Sequence, residues 1–148
     1  VNGWLLDTNV IASLIAVTGA PSVKVWAERQ DEARIYISII SLAEYDKGIH
    51  QLPEGDPQRT RYGANRDAIA ARFGARILPV SDAVMLRWGA LAGRIRRETG
   101  HPPPVIDTLL AATALEARLY LVTRNTKDVR HTGAVVFNPW EDDFANFR

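Results

Sequence analysis

The chain has 148 residues, 47% of them hydrophobic, with 18 Lys plus Arg against 17 Asp plus Glu and no cysteine. Length and apolar content suit one domain over residues 1–148, built round one core. A net charge of +1 excludes a uniformly cationic nucleic-acid binder, and the missing cysteines exclude disulfides and thiolate zinc sites and fit a reducing, cytoplasmic setting; no apolar run approaches the roughly 20 residues that span a bilayer.

Gly3 to Leu6 is a short apolar run stopped by Asp7-Thr8-Asn9, after which Val10, Ile11, Leu14 and Ile15 recur at helical spacing. Gly19-Ala20-Pro21-Ser22 breaks the chain, with Ser22 as the expected N-cap of a second helix carrying Val23, Val25 and Trp26. Ile35-Tyr36-Ile37 reads as a strand, and from Ser41 the positions Leu42, Tyr45, Ile49 and Leu52 form a helical stripe that ends at Pro53 to Pro57. A weakly patterned helix follows from Gln58 to Phe73, then a strand Ile77-Leu78-Pro79-Val80. Val84, Trp88, Leu91, Ala92 and Ile95 predict a strongly amphipathic helix, stopped by Gly100-His101-Pro102-Pro103-Pro104. Ile106, Leu109, Leu110, Thr113, Ala114 and Ala117 predict another; strands at Leu119–Val122 and Ala134–Phe137 complete the chain, with Trp140 as an expected packing anchor. Short strands alternating with helices imply an α/β fold with a parallel sheet covered on both faces.

Three acids interrupt apolar runs. Asp7 follows a strand and precedes a helix, where it serves equally as an N-cap. Ser41-Leu42-Ala43-Glu44 matches the S-x-x-E capping box, and Asp107 stands in a first helical turn favoured by the helix dipole. Together they gain another meaning, because all three fall near the carboxyl ends of strands, where open parallel sheets collect ligands. Converging carboxylates repel unless a cation or proton neutralises them, and oxygen donors without Cys or paired His favour Mg²⁺ or Mn²⁺. A fourth position lies in Thr123-Arg124-Asn125-Thr126-Lys127-Asp128: Asn125 reads as an N-cap or site residue, and Asp128 as a first-turn acid or site residue. Asp46 is expected to be solvated. From Arg59 to His101 nine arginines face three acids, which makes that stretch locally cationic, as solvated helix faces or as an RNA-attracting surface.

Leu6-Asp7-Thr8-Asn9-Val10, Ser41-Leu42-Ala43-Glu44 with Gly48, Leu78-Pro79-Val80, Ile106-Asp107 with Ala111-Ala112, Val122-Thr123-Arg124-Asn125 and Asn138-Pro139-Trp140 run in order along nearly the whole chain. This ordered set resembles the PIN-domain ribonucleases, specifically the VapC toxin branch of type II toxin–antitoxin systems. The resemblance implies a three-layer α/β/α fold with a parallel sheet of about five strands, Mg²⁺- or Mn²⁺-dependent endonucleolytic cleavage of RNA (transfer, ribosomal or messenger), a homodimer, and inhibition by a cognate VapB-like antitoxin. Carried over by position, Asp7, Glu44 and Asp107 are the metal-binding acids, with Asn125 or Asp128 at the fourth catalytic position and Thr8, Asn9 and Thr123 in support. Arg59, Arg61, Arg66, Arg94, Arg97 and Arg124 are the candidate RNA contacts. Two other classes are weighed: a PIN-like module that binds without turnover, favoured by Asn125, and a phosphoacceptor receiver domain, which lacks its paired acids after the first strand and its Asp after the third.

Overall fold

The computed structural model describes residues 2–143. Five short strands, β1 (Trp4–Leu6), β2 (Ile35–Ser38), β3 (Ile77–Leu78), β4 (Tyr120–Val122) and β5 (Val136–Phe137), form one all-parallel sheet in the order β3-β2-β1-β4-β5. Seven helices connect them: α1 (Thr8–Ile15), α2 (Pro21–Glu28), α3 (Ile39–His50), α4 (Pro57–Phe73), α5 (Asp82–Thr99), α6 (Val105–Ala117) and α7 (Thr126–Val129).

The strands are buried on both faces, and their period-two alternation divides the core. Leu5, Tyr36 and Leu121 point to one side, where they meet Val84, Leu91 and Ile95 of α5 and Leu110, Ala111 and Ala114 of α6. Trp4, Leu6, Ile35, Ile37 and Val122 point to the other, against Val10 and Ile11 of α1, Val23 and Trp26 of α2, and Ile69 of α4. The result is the three-layer α/β/α arrangement that the alternating pattern implies. On the second side Trp4 packs edge-on against Trp26 with ring centres 5.2 Å apart, and Phe137 lies 5.4 Å from Trp4. Gly3 admits β1 to this packing, because a Cβ there would stand 2.2 Å from the Arg34 carbonyl oxygen.

Several local expectations are corrected. The strands at residues 77–80 and 134–137 shrink to two residues each, Ile77–Leu78 and Val136–Phe137. Helix α2 starts at Pro21 with Ala20 as its cap residue, so Ser22 lies inside the first turn; proline's fixed φ supplies the start that a serine cap was expected to give. Helix α3 begins at Ile39, and its cap is Ser38, whose Oγ accepts the Ile40 N–H at 3.0 Å. Ser41 is therefore a buried residue of the helix body, and the Ser41/Glu44 capping box does not form.

Strand β1 is where the order of connections reverses: β2 and β3 follow on one side, β4 and β5 on the other. Such a switch point opens a crevice at the carboxyl ends of the central strands. In register Leu6 lies beside Ile37 on β2 and Val122 on β4. The residues one step further, Asp7, Ser38 and Thr123, consequently stand together at that edge.

Candidate active site

Asp7 is the floor of the crevice. Its backbone N–H donates to the Val122 carbonyl at 2.9 Å, which extends the β1–β4 ladder by one residue and fixes where the carboxylate begins. The side chain is 6% exposed. Its Oδ1 accepts the Thr8 N–H at 2.6 Å, so the expected capping role is real. Its Oδ2 accepts the Asn9 amide at 3.1 Å and the fully buried Thr123 hydroxyl at 2.7 Å. Burial nevertheless pushes its pKa upward, against the opposing pull of those hydrogen bonds.

Glu44 arrives from the second turn of α3. Capping the helix at Ser38, three residues before Ser41, frees the Glu44 carboxylate from any capping duty, and Oε1 accepts the Thr8 hydroxyl at 2.6 Å. Thr8 thus serves both acids, through its backbone N–H to Asp7 and its hydroxyl to Glu44.

Asp107 stands half-buried in the first turn of α6. The next residue, Thr108, is fully buried: its hydroxyl donates to the carbonyls of Pro104 and Val105 and accepts the Trp88 indole N–H at 3.0 Å. Trp88 of α5 therefore pins the start of α6 and sets the direction from which Asp107 enters. The Asp107 pKa is raised to about 6, first by burial and then by repulsion from Asp7, Asp128 and Glu44. Four acids, Asp7 just after β1 and the others on α3, α6 and α7, thus share one field, and no cation figures among the causes at Asp107 or Asp7.

The fourth position divides between two residues. Asn125 occupies the cap position of α7 but is exposed and makes no side-chain cap bond; its backbone N–H donates to Thr123 Oγ1 at 3.0 Å, which fixes the turn that precedes the helix. Asp128, one step further into α7, contributes the charge felt at Asp107. Asn9 ties this loop to the floor, its Oδ1 accepting the Arg124 N–H at 3.3 Å.

Most of the candidate arginines are engaged within the fold. Arg59 donates to the carbonyls of Leu52 and His50, closing the α3–α4 turn. Arg66 binds Asp46 and Asp67, which also corrects the expectation that Asp46 is merely solvated. Arg94 bridges Glu98 and the His131 carbonyl. Arg61 lies over the neighbouring Tyr62 ring, Arg97 is exposed at the end of α5, and Arg124 lies over Trp140. Trp88, Thr108 and Ser38 were not singled out as site-building residues in the sequence; the one available signal was that Thr108 directly follows Asp107.

Leu42 and Tyr45 of α3 pack into the core rather than offering a surface. Beside them α1, α2 and α4 leave a groove of about 710 Å³, floored by Ile11, Leu14 and Ile69 and rimmed by Lys24, Glu32 and Arg72.

Among the described residues no three carboxylates or histidines close into a cage that could hold an ion as they stand, so the acids are coupled through their charges and not through contact. No helix among the described residues is long and apolar enough to cross a membrane.

The PIN domain family model matches residues 4–134. The chain is 30% identical over 138 residues to the toxin FitB of Neisseria gonorrhoeae, covering 93% of this chain and 99% of that protein. It is 26% identical to the VapC ribonuclease Y4jK of Sinorhizobium fredii, across 93% of this chain and 97% of the relative. Among solved structures, FitAcB from Neisseria gonorrhoeae superposes with a TM-score of 0.82 at 28% identity, covering 94% of this chain and 99% of that one.

Proposed function

The chain belongs to the PIN domain family, and on that footing we propose that it is a divalent-metal-dependent endoribonuclease acting as the toxin of a toxin–antitoxin pair. The observation that carries this reading is the convergence of Asp7, Glu44, Asp107 and Asp128 from separate elements on one crevice, with Thr8 bonded to both Asp7 and Glu44; burial first and then the charges of the other three acids raise the Asp107 pKa, with no cation among the causes. Folding that concentrates negative charge in a crevice costs stability unless something positive is to be bound there.

The donor set fits a hard divalent ion: carboxylate oxygens only, with neither thiolate nor paired imidazole. Asp7 and Asp107 would hold Mg²⁺ or Mn²⁺ directly, joined by Glu44. A bound ion would lower the pKa of water and stabilise charge developing on the phosphoryl oxygens. The chain's own residues supply the positioning. Thr123, Asn9 and the Thr8 N–H hold the Asp7 carboxylate, and Thr8 holds Oε1 of Glu44, which would leave the second Glu44 oxygen to bind the ion or to orient water on it. Asp128 supplies the fourth charge in place of Asn125. Hydrolysis by water attacking in line at phosphorus would leave a 5′-phosphate and a 3′-hydroxyl.

A nuclease active in the cytoplasm that makes it needs an inhibitor, and a relative bearing the name of a toxin supports the same conclusion. The groove between α1, α2 and α4 suits an amphipathic antitoxin segment, with apolar residues for the floor and charges for Lys24, Glu32 and Arg72. Cleavage of RNA would arrest translation and growth until the antitoxin returned.

The test is incubation of antitoxin-free protein with a mixed RNA pool in Mg²⁺, in Mn²⁺ and in chelator, beside the Asp7→Asn variant. Cleavage that requires both the ion and Asp7 is the expected result. RNA bound but uncut in every lane would replace the enzyme with a binding module, the reading that uncharged Asn125 favours.

A further inference from the structure

Arg124 directly follows Thr123, the residue that anchors Asp7, and its backbone N–H is held by Asn9 Oδ1. Its side chain is exposed and makes no ion pair among the described residues, unlike Arg66, Arg72, Arg87 and Arg94. Nor does its charge count among the causes that shift Asp7 or Asp107, although four acids crowd the adjoining crevice. Its guanidinium centre lies instead 5.2 Å from the centre of the Trp140 indole. The Trp140 ring is packed against the aromatic side of the core, and its backbone N–H donates to buried Asn138 Oδ1 at 2.9 Å. A cation stacked on a clamped ring keeps its planar edge and its N–H donors free, an arrangement matched to a phosphate group.

We propose that Arg124, held on Trp140, is the substrate-positioning residue of this site: it binds the RNA phosphate flanking the scissile one, while the scissile phosphate goes to the acids. The assignment rests on the nuclease reading and adds a division of labour to it. An arginine drawn among the carboxylates would neutralise them and compete with the ion. One held aside by a tryptophan attracts the anionic strand and leaves the acid field intact. Trp140 then acts through Arg124, and phenylalanine, which preserves a ring face, should replace it better than leucine.

The experiment measures binding of a labelled single-stranded RNA in chelator across a salt series, and steady-state cleavage of the same RNA, for the wild type, Arg124→Ala, Arg124→Lys, Trp140→Phe and Trp140→Leu, with thermal melting of each. Loss of one phosphate contact from a single strand lowers the slope of log affinity against log salt by about 0.7. The expected result is that loss in Arg124→Ala, with KM raised about tenfold and kcat changed less, partial retention in Arg124→Lys, and Trp140→Phe closer to wild type than Trp140→Leu. An unchanged slope and KM in Arg124→Ala, with only a lowered melting temperature, would make the pair a clasp for the C-terminal segment and overturn the proposal. Binding with an Arg124-dependent slope but without cleavage in any ion would remove the nuclease reading and, with it, the flanking-phosphate assignment, leaving Arg124 as an RNA contact of a binding module. Failure of the wild type to bind RNA would overturn both.

Discussion

The hydroxyl of Thr8 donates to Oε1 of Glu44 at 2.6 Å, joining the first turn of α1 to the second turn of α3 across the mouth of the crevice. The same residue's backbone N–H serves Asp7. Replacing Thr8 by Val keeps the size and the backbone donor and removes only the link to Glu44. A hydrogen bond to a charged group contributes about 1.5–3 kcal/mol, so cleavage should fall on the order of ten- to a hundredfold with the melting temperature nearly unchanged. Rates equal to wild type would show that Glu44 finds its place without Thr8.

Asp7→Asn separates chemistry from folding. Loss of one direct ligand should reduce cleavage by on the order of 10³-fold, as several kcal/mol of charge stabilisation disappears. In chelator the variant should melt within a few degrees of wild type, because removal of a buried charge whose pKa burial already raises offsets the one accepting oxygen that the amide gives up. A large drop in melting temperature would instead make Asp7 chiefly a cap for α1.

Stability should depend on pH in the direction set by Asp107. Its pKa rises from 3.8 to about 6 on folding. Between those values the folded chain holds more proton than the unfolded one, so this group makes ion-free protein lose stability as pH climbs from about 4 to about 6. Melting in chelator across this range, compared with Asp107→Asn, isolates the contribution: the wild type should show the extra decline and the variant should lack it.

Added Mg²⁺ or Mn²⁺ should reverse that decline. An ion that binds only the folded state stabilises it by about 2.7 kcal/mol at a hundredfold excess over its dissociation constant, which raises the melting temperature by several degrees. The increase should be absent when Asp7 and Asp107 are both replaced by Asn. An equal rise in that double variant would place the ion elsewhere.

Trp88→Phe tests the prop beneath Asp107. The phenyl ring retains most of the packing and loses the indole N–H that Thr108 accepts at 3.0 Å. A net cost of about 1 kcal/mol, or a drop of about 3 °C in melting temperature, is expected, together with slower cleavage as the start of α6 loosens. Unaltered melting and rate would show that the Pro104 and Val105 carbonyls suffice to hold Thr108.

Much of this was legible in the sequence because it rests on local periodicity. Apolar runs of two to four residues set off the strands, and i, i+3, i+4 stripes set off α5 and α6, since each pattern needs only neighbours in the chain to be recognised. The acids were legible for the same reason, each standing as a charge that interrupts an apolar run. The order along the chain also carried the family resemblance, which the match over residues 4–134 bears out.

What the tertiary structure decided were the partners. S-x-x-E is a sound local signal, yet α3 starts at Ile39 because Ser38, fully buried at the end of β2, caps it first. Glu44 was thereby released to a threonine 36 residues away. Thr123 meets Asp7 across 116 residues only because Leu6 and Val122 are in register, and register is a property of the paired strands that neither strand carries alone. The arginines make the same point: Arg59, Arg66 and Arg94 looked alike in sequence to Arg124, but packing gave the first three carbonyls and carboxylates and gave Arg124 the face of a tryptophan. The sequence determined which groups exist and which elements carry them; three-dimensional packing alone determined which charges are neutralised and which remain free to act.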